Sequence, residues 1–103
     1  MVHGDLHIRQ LLADGGGLSG IIDWVDVCRS DPGVDLQLWW SLLPPAGRAE
    51  FLDEYGPVPD DSLLRARVLA LFLNAILLRH ARAEGLTAVE AEALAGLERT
   101  LVD

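Results

Sequence analysis

From residue 10 onward the apolar positions follow two different rhythms. Gln10-Leu-Leu-Ala13 and Leu18-Ser-Gly-Ile-Ile22 are short β-like runs, and Asp14-Gly-Gly-Gly17 between them is a turn cluster whose glycines accept positive φ. Together they predict a hairpin. Beyond it the spacing becomes helical. Asp31-Pro32 places a capping carboxylate before a proline suited to a first helical turn, which predicts a helix to about Leu43, ended by Pro44-Pro45. The next segment, Pro45 to Tyr55, carries Phe51, Leu52 and Tyr55 at helical spacing and stops at Gly56-Pro57.

Asp60 and Asp61 offer caps for a third helix. Its Leu63, Leu64, Val68, Leu69, Leu71, Phe72, Leu73, Ile76, Leu77 and Leu78 make it apolar nearly all round, with Arg79, His80 and Arg82 near the end where cations suit the helix dipole. This predicts a buried central helix. Gly85 closes it, and Thr87-Ala-Val-Glu90 has the form of a capping box opening a last amphipathic helix with Leu94, Leu97 and Leu101. The predicted fold class is α+β, mainly helical: a β-hairpin followed by about four helices, in a single domain spanning residues 1–103.

Composition sets limits on partners. At 103 residues there is room for one core. Half of the residues are apolar and the mean hydropathy is +0.26, which predicts exposed apolar surface and hence a homo-oligomer or a missing lobe. A net charge of −8 speaks against a nucleic-acid or anionic-membrane surface, since both need basic residues to meet phosphates. The lone Cys28 excludes an internal disulfide and reads as a small buried hydrophobe in a reducing compartment. The longest apolar run, interrupted by Asn74, is too short to span a bilayer, so a cytoplasmic protein is expected.

The chemistry concentrates at the start of the chain, in Val2-His-Gly-Asp-Leu-His-Ile-Arg-Gln10 and Gly20-Ile-Ile-Asp-Trp24. Phosphoryl transfer from a nucleotide needs a carboxylate to orient the attacking hydroxyl and oxygen ligands that hold magnesium against the phosphates. Asp5 suits the first task. Asp23 and the side-chain carbonyl of Gln10 suit the second, and a hairpin brings them together because Gln10 enters its first strand while Asp23 leaves its second. Trp24 and the pair Trp39-Trp40 read as core packing. The Gly15-Gly-Gly17 run lacks the lysine and the strand-to-helix context of a phosphate loop. Asp26, Glu50, Asp53, Glu54, Asp60 and Asp61 suit either a groove for a cationic acceptor or a solvated face.

His3-Gly-Asp-Leu-His-Ile-Arg-Gln10, then Gly20-Ile-Ile-Asp-Trp24, then Ser30-Asp-Pro-Gly-Val-Asp-Leu36 resemble, in order and spacing, the aminoglycoside phosphotransferase family. The resemblance implies the C-terminal lobe of a protein-kinase-like fold, with Asp5 as the catalytic aspartate and Asp23 as a magnesium ligand on the phosphates of ATP or GTP. Gln10 stands where that family usually carries asparagine, keeping an oxygen ligand on a side chain one methylene longer. His3 matches the histidine that buttresses the catalytic loop, and Asp35 a carboxylate that pins the loop from the following helix. His7 and Arg9 are either scaffold and solvated loop residues or contacts to phosphate or substrate. The acceptor implied is a small hydroxyl compound, antibiotic-like or an amino sugar.

A nucleotide-binding N-terminal lobe and its phosphate-holding lysine are not found in this sequence, which contains no lysine. The expectation is therefore a C-terminal lobe, nearly inactive alone. Its rivals are a non-catalytic remnant acting as a homo-oligomeric or partner-binding module, and one half of a two-chain enzyme.

Overall fold

The computed structural model describes residues 1–103. A single 3-10 turn, Ile8–Gln10, leads into strand β1 (Leu11–Asp14), which pairs antiparallel with β2 (Gly17–Ile21). Leu11 faces Ile21 and Leu12 faces Gly20, but Ala13 faces Leu18, so Ser19 is an extra residue that bulges β2. The hairpin is extended at its open end, where Ile22 N–H donates to the Gln10 carbonyl at 3.0 Å. Val2 and Cys28 form an isolated antiparallel bridge that draws the start of the chain alongside the loop after β2.

Four helices follow: α1 (Gly33–Ser41), α2 (Arg48–Tyr55, preceded by a 3-10 turn at Pro45–Gly47), α3 (Asp60–Glu84) and α4 (Thr87–Thr100). The chain is thus an α+β, mainly helical protein. Helix α3 is the spine, with α1 and α4 packed against it. Their contact runs through small residues. Ala66, Ala70 and Ala81 of α3 and Ala93 of α4 are fully buried, and a Cβ on Gly96 of α4 would stand 2.8 Å from the Asn74 side-chain oxygen. Backbones therefore approach closely, and enlarging any of these positions would force helices apart at about 1–3 kcal/mol.

The price of that arrangement is that α3 is not a buried central helix. Its interior face is alanine, Ser62 and Asn74, whereas Leu64, Val68 and Phe72 lie about 60% exposed on the opposite face. Only two helices are available to cover a 25-residue rod, so an all-round apolar sequence must leave one side open. Cys28 and Trp24 are also exposed, contrary to the packing roles expected for them, because the loop that carries both runs over the surface.

Helix ends depart from the sequence expectation too. Pro59 and Leu86 hold the N-cap positions of α3 and α4, so Asp60, Asp61 and Thr87 fall inside the first turns and make no side-chain cap. At α1 the Asp31 carboxylate does accept from Gly33 N–H at 2.7 Å, which supplies a partner for a donor the first turn leaves free. The end of α4 is served by guanidinium groups. Arg48 donates to the carbonyls of Arg99 and Val102, and Arg67 donates to that of Thr100. Both cations also lie over the Trp40 ring, which stands edge-on to Trp39, so the two tryptophans pack as expected but against arginine as much as aliphatic core.

Candidate functional site

The loop from His3 to Gln10 is shaped by backbone constraints before any chemistry. Gly4 has φ +97, and a Cβ there would stand 2.3 Å from the Asp26 carbonyl oxygen, so neither the torsion nor the space admits a side chain. Helix α1 grips this loop from below. Asp35, in its first turn, accepts from the backbone N–H of His3 (2.7 Å) and of Gly4 (3.1 Å) through separate carboxylate oxygens. Gln37, almost wholly buried, donates through Nε2 to the Leu6 carbonyl. Nothing in the sequence singles out Gln37, whose only mark is a polar residue interrupting the apolar run Leu36-Gln-Leu-Trp-Trp40.

His3 joins the loop to the hairpin. Its Nδ1 accepts from Asp5 N–H at 3.2 Å, so Nδ1 carries no proton there, and Nε2 donates to the Ile22 carbonyl at 2.9 Å. The hydrogen bonds select one neutral tautomer. Trp24 tilts over the same imidazole, ring centroids 4.6 Å apart, with its indole N–H on the Ile21 carbonyl. The Nε2 bond and the ring contact tie the Asp5 segment to the residues on either side of Asp23.

Asp23 itself takes φ +62, the single non-glycine residue with positive φ. The left-handed region is tolerated by aspartate but still costs about 1–2 kcal/mol. The bend aims its carboxylate back at the start of the hairpin. There the buried Gln10 side chain lies between two exposed acids, its Nε2 3.2 Å from Asp5 Oδ2 and 3.5 Å from Asp23 Oδ2. The two carboxylate oxygens consequently sit no farther apart than the sum of those contacts. Gln10 Oε1, the atom a metal would need, accepts instead from His7 N–H at 3.2 Å. Reversing the amide would turn its NH2 toward another N–H donor and present a carbonyl to two carboxylates, so the orientation is fixed by its neighbours.

His7 caps the 3-10 turn, its Nδ1 accepting from Arg9 N–H. Arg9 projects into solvent without an ion pair. No three His, Cys, Asp or Glu side chains converge on one point. Two carboxylates fit magnesium all the same, because that ion commonly takes one or two protein acids and completes its shell with phosphate and water oxygens.

A cleft of about 430 Å³ adjoins Asp5. Its walls are the loop Gly4–Ile8, one face of α1 (Val34, Gln37, Leu38) and the α3 face from Leu69 to His80. Asp26, Glu50, Asp53, Glu54, Asp60 and Asp61 are not among its lining residues and lie on the exposed surface.

Comparison with known proteins agrees with the order of these segments. Residues 1–68 match the family described as the Phosphotransferase enzyme family. A protein of Bacillus subtilis (strain 168), described as uncharacterized protein YcbJ, is 32% identical over 56 residues, which is 53% of this chain and 18% of that protein. The matched region therefore spans less than a fifth of that relative's length. No solved structure matches the chain. The family match takes in the Asp5 loop, the hairpin, Asp23 and α1 with its two grips on the loop, and the chain belongs to the phosphotransferase enzyme family.

Proposed function

We propose that this chain supplies the acid pair and the acceptor side of a small-molecule phosphotransferase. The observation that carries the reading is the placement of Asp5 and Asp23 on either side of one buried amide, both carboxylates open to solvent. Asp5 orients the acceptor hydroxyl and takes its proton as the new oxygen–phosphorus bond forms, while the bond from the γ-phosphorus to the bridging oxygen breaks and the nucleoside diphosphate leaves. Asp23 faces the nucleotide side, where magnesium, bound with ATP or GTP, would neutralise phosphate charge. Gln10 keeps the two acids apart and donates to both. Asp35, Gln37 and His3 hold the loop backbone so that Asp5 does not have to be ordered at each turnover.

A nucleotide lobe with a phosphate-holding lysine is needed in addition, since the chain contains no lysine. Turnover by the chain alone is expected to be very slow. The test is Asp5→Asn against Asp23→Ala in the chain joined to such a lobe. Asp5→Asn should lower kcat by about 10²–10⁴-fold with magnesium-nucleotide affinity retained, and Asp23→Ala should weaken that affinity first. Unchanged kcat in Asp5→Asn removes Asp5 from the proton-accepting role.

A partner-binding reading has its own observation. Leu64, Val68 and Phe72 recur on successive turns of α3 and are each about 60% exposed, a stripe a second subunit or lobe would cover. Sedimentation should show self-association at micromolar concentration that Val68→Asp reduces. A strictly monomeric chain over that range overturns the homo-oligomer.

A further inference from the structure

We infer that the cleft beside Asp5 binds the body of the acceptor, and that this acceptor is an uncharged apolar compound presenting a hydroxyl rather than a polycationic amino sugar. The inference rests on the phosphotransferase reading for which group reacts, and on the cleft for what is recognised.

Geometry gives the cleft its place. It is bounded by the same loop that carries Asp5, so a molecule seated in it brings a substituent to that carboxylate without leaving the wall. Its volume, about 430 Å³, falls in the range of small-molecule sites. Chemistry sets the class. The walls include Leu6, Ile8, Leu69, Leu73, Ile76 and Leu77, and Asp5 is the one acid lining them. A ligand with several ammonium groups would lose water around each charge and meet a single carboxylate in return. His7 and His80 add no negative charge to the lining, and no acid other than Asp5 is part of it.

The polar groups that remain suit one hydroxyl better than many. Gln37 Nε2 already donates to the Leu6 carbonyl and Asn74 Nδ2 to the Ala70 carbonyl, which leaves one N–H on each amide, with His7 and His80, as the few polar partners among apolar walls. An amino sugar would leave most of its hydroxyls unpaired against leucine. An apolar body loses nothing there, and its hydroxyl has Asp5 as acceptor.

The experiment is a calorimetric or ligand-observed NMR titration of the chain with octan-1-ol as the apolar probe and kanamycin as the polycationic one. Octanol should bind saturably at one site. Ile76→Asp, at a half-exposed position on the wall, should weaken it at least fivefold, and Leu73→Gln should do the same if Ile76→Asp disturbs folding. Val68→Asp, on the same helix but outside the cleft, should leave it unchanged. Equal losses in Val68→Asp and Ile76→Asp would show non-specific adsorption and overturn the proposal, as would tighter binding of kanamycin than octanol. No nucleotide enters this titration. Failure of the octanol site therefore overturns the acceptor class alone, whereas failure of the phosphotransferase reading appears as unaltered transfer in Asp5→Asn.

Discussion

At the scale of single residues the site depends on a neutral side chain. Asp5 and Asp23 are like charges near one another, and the group between them is the NH2 of Gln10, buried while the acids are exposed. A carbonyl in that position would add to the repulsion. Replacing Gln10 by leucine keeps its approximate volume but removes both donations and leaves His7 N–H without its acceptor. Loss of a hydrogen bond to a charged group removes about 1.5–3 kcal/mol, reduced here because both acids can turn to water. Urea unfolding of Gln10→Leu at neutral pH should therefore show a loss of about 1–2 kcal/mol, and magnesium should recover part of it by screening the acids. An unchanged midpoint would mean that the amide does not hold the pair. The candidate acids Asp5 and Asp23 stand out in the sequence because Asp5 sits beside a glycine between two histidines and Asp23 ends a short apolar run before Trp24. The direction of the Gln10 amide does not, since it is decided by His7 N–H, a backbone donor no sequence pattern displays.

At the scale of elements, turn and stop signals were legible and caps were not. Asp14-Gly-Gly-Gly17 and Gly85 act through torsions that a residue type announces, and the hairpin and the end of α3 fall where those residues are. Asp60, Asp61 and Thr87 have the composition of caps, yet Pro59 and Leu86 precede the first helical residue at each site and displace them by one position. The closure of α4 is likewise invisible in sequence, because Arg48 lies some fifty residues before the carbonyls it serves. Arg48 is buried without an acid partner. Burial, and then the neighbouring Arg67 charge, lower its pKa from the ordinary arginine value, although it remains a cation at any physiological pH. What retains it is the negative end of the α4 dipole, the Trp40 carbonyl and the faces of two tryptophans. Arg48→Met fills the space but strands the Trp40 carbonyl and takes one of two donors from the Arg99 carbonyl, which keeps Val102 N–H, so thermal or urea unfolding should show a loss of about 1–3 kcal/mol. Wild-type stability in Arg48→Met would assign that corner to apolar packing alone.

At the scale of the whole molecule, small buried residues and an exposed apolar face have one cause. Alanine along α3 lets α1 and α4 come close, and the larger side chains Leu64, Val68 and Phe72 are left on the exposed face. Because that packing buries few large side chains, polar ties between helices matter more to cohesion than in a leucine core. The start of α1 is tied to α3 by Asp31, which accepts from Gly33 N–H, from the Arg65 guanidinium at 2.6 Å and from Ser62 at 3.2 Å. The Gly33 bond first and the Arg65 bond next hold the Asp31 pKa below the ordinary carboxylate value, and Asp31 raises that of Arg65 in return. Arg65 stays protonated throughout the accessible range, so Asp31 is the member that titrates. A depressed carboxylate pKa contributes stability that is present above the unfolded-state value and is lost as pH falls through the folded-state value. Asp31→Ala should accordingly unfold more readily than the wild type at neutral pH, and the two should converge as the pH falls through the lowered folded-state pKa of Asp31. Since the ion pair is open to solvent, added salt should narrow the neutral-pH gap while leaving the part due to the Gly33 bond. Unfolding midpoints that stay parallel from neutral to acid pH would show that the α1–α3 junction is held by packing and not by this carboxylate.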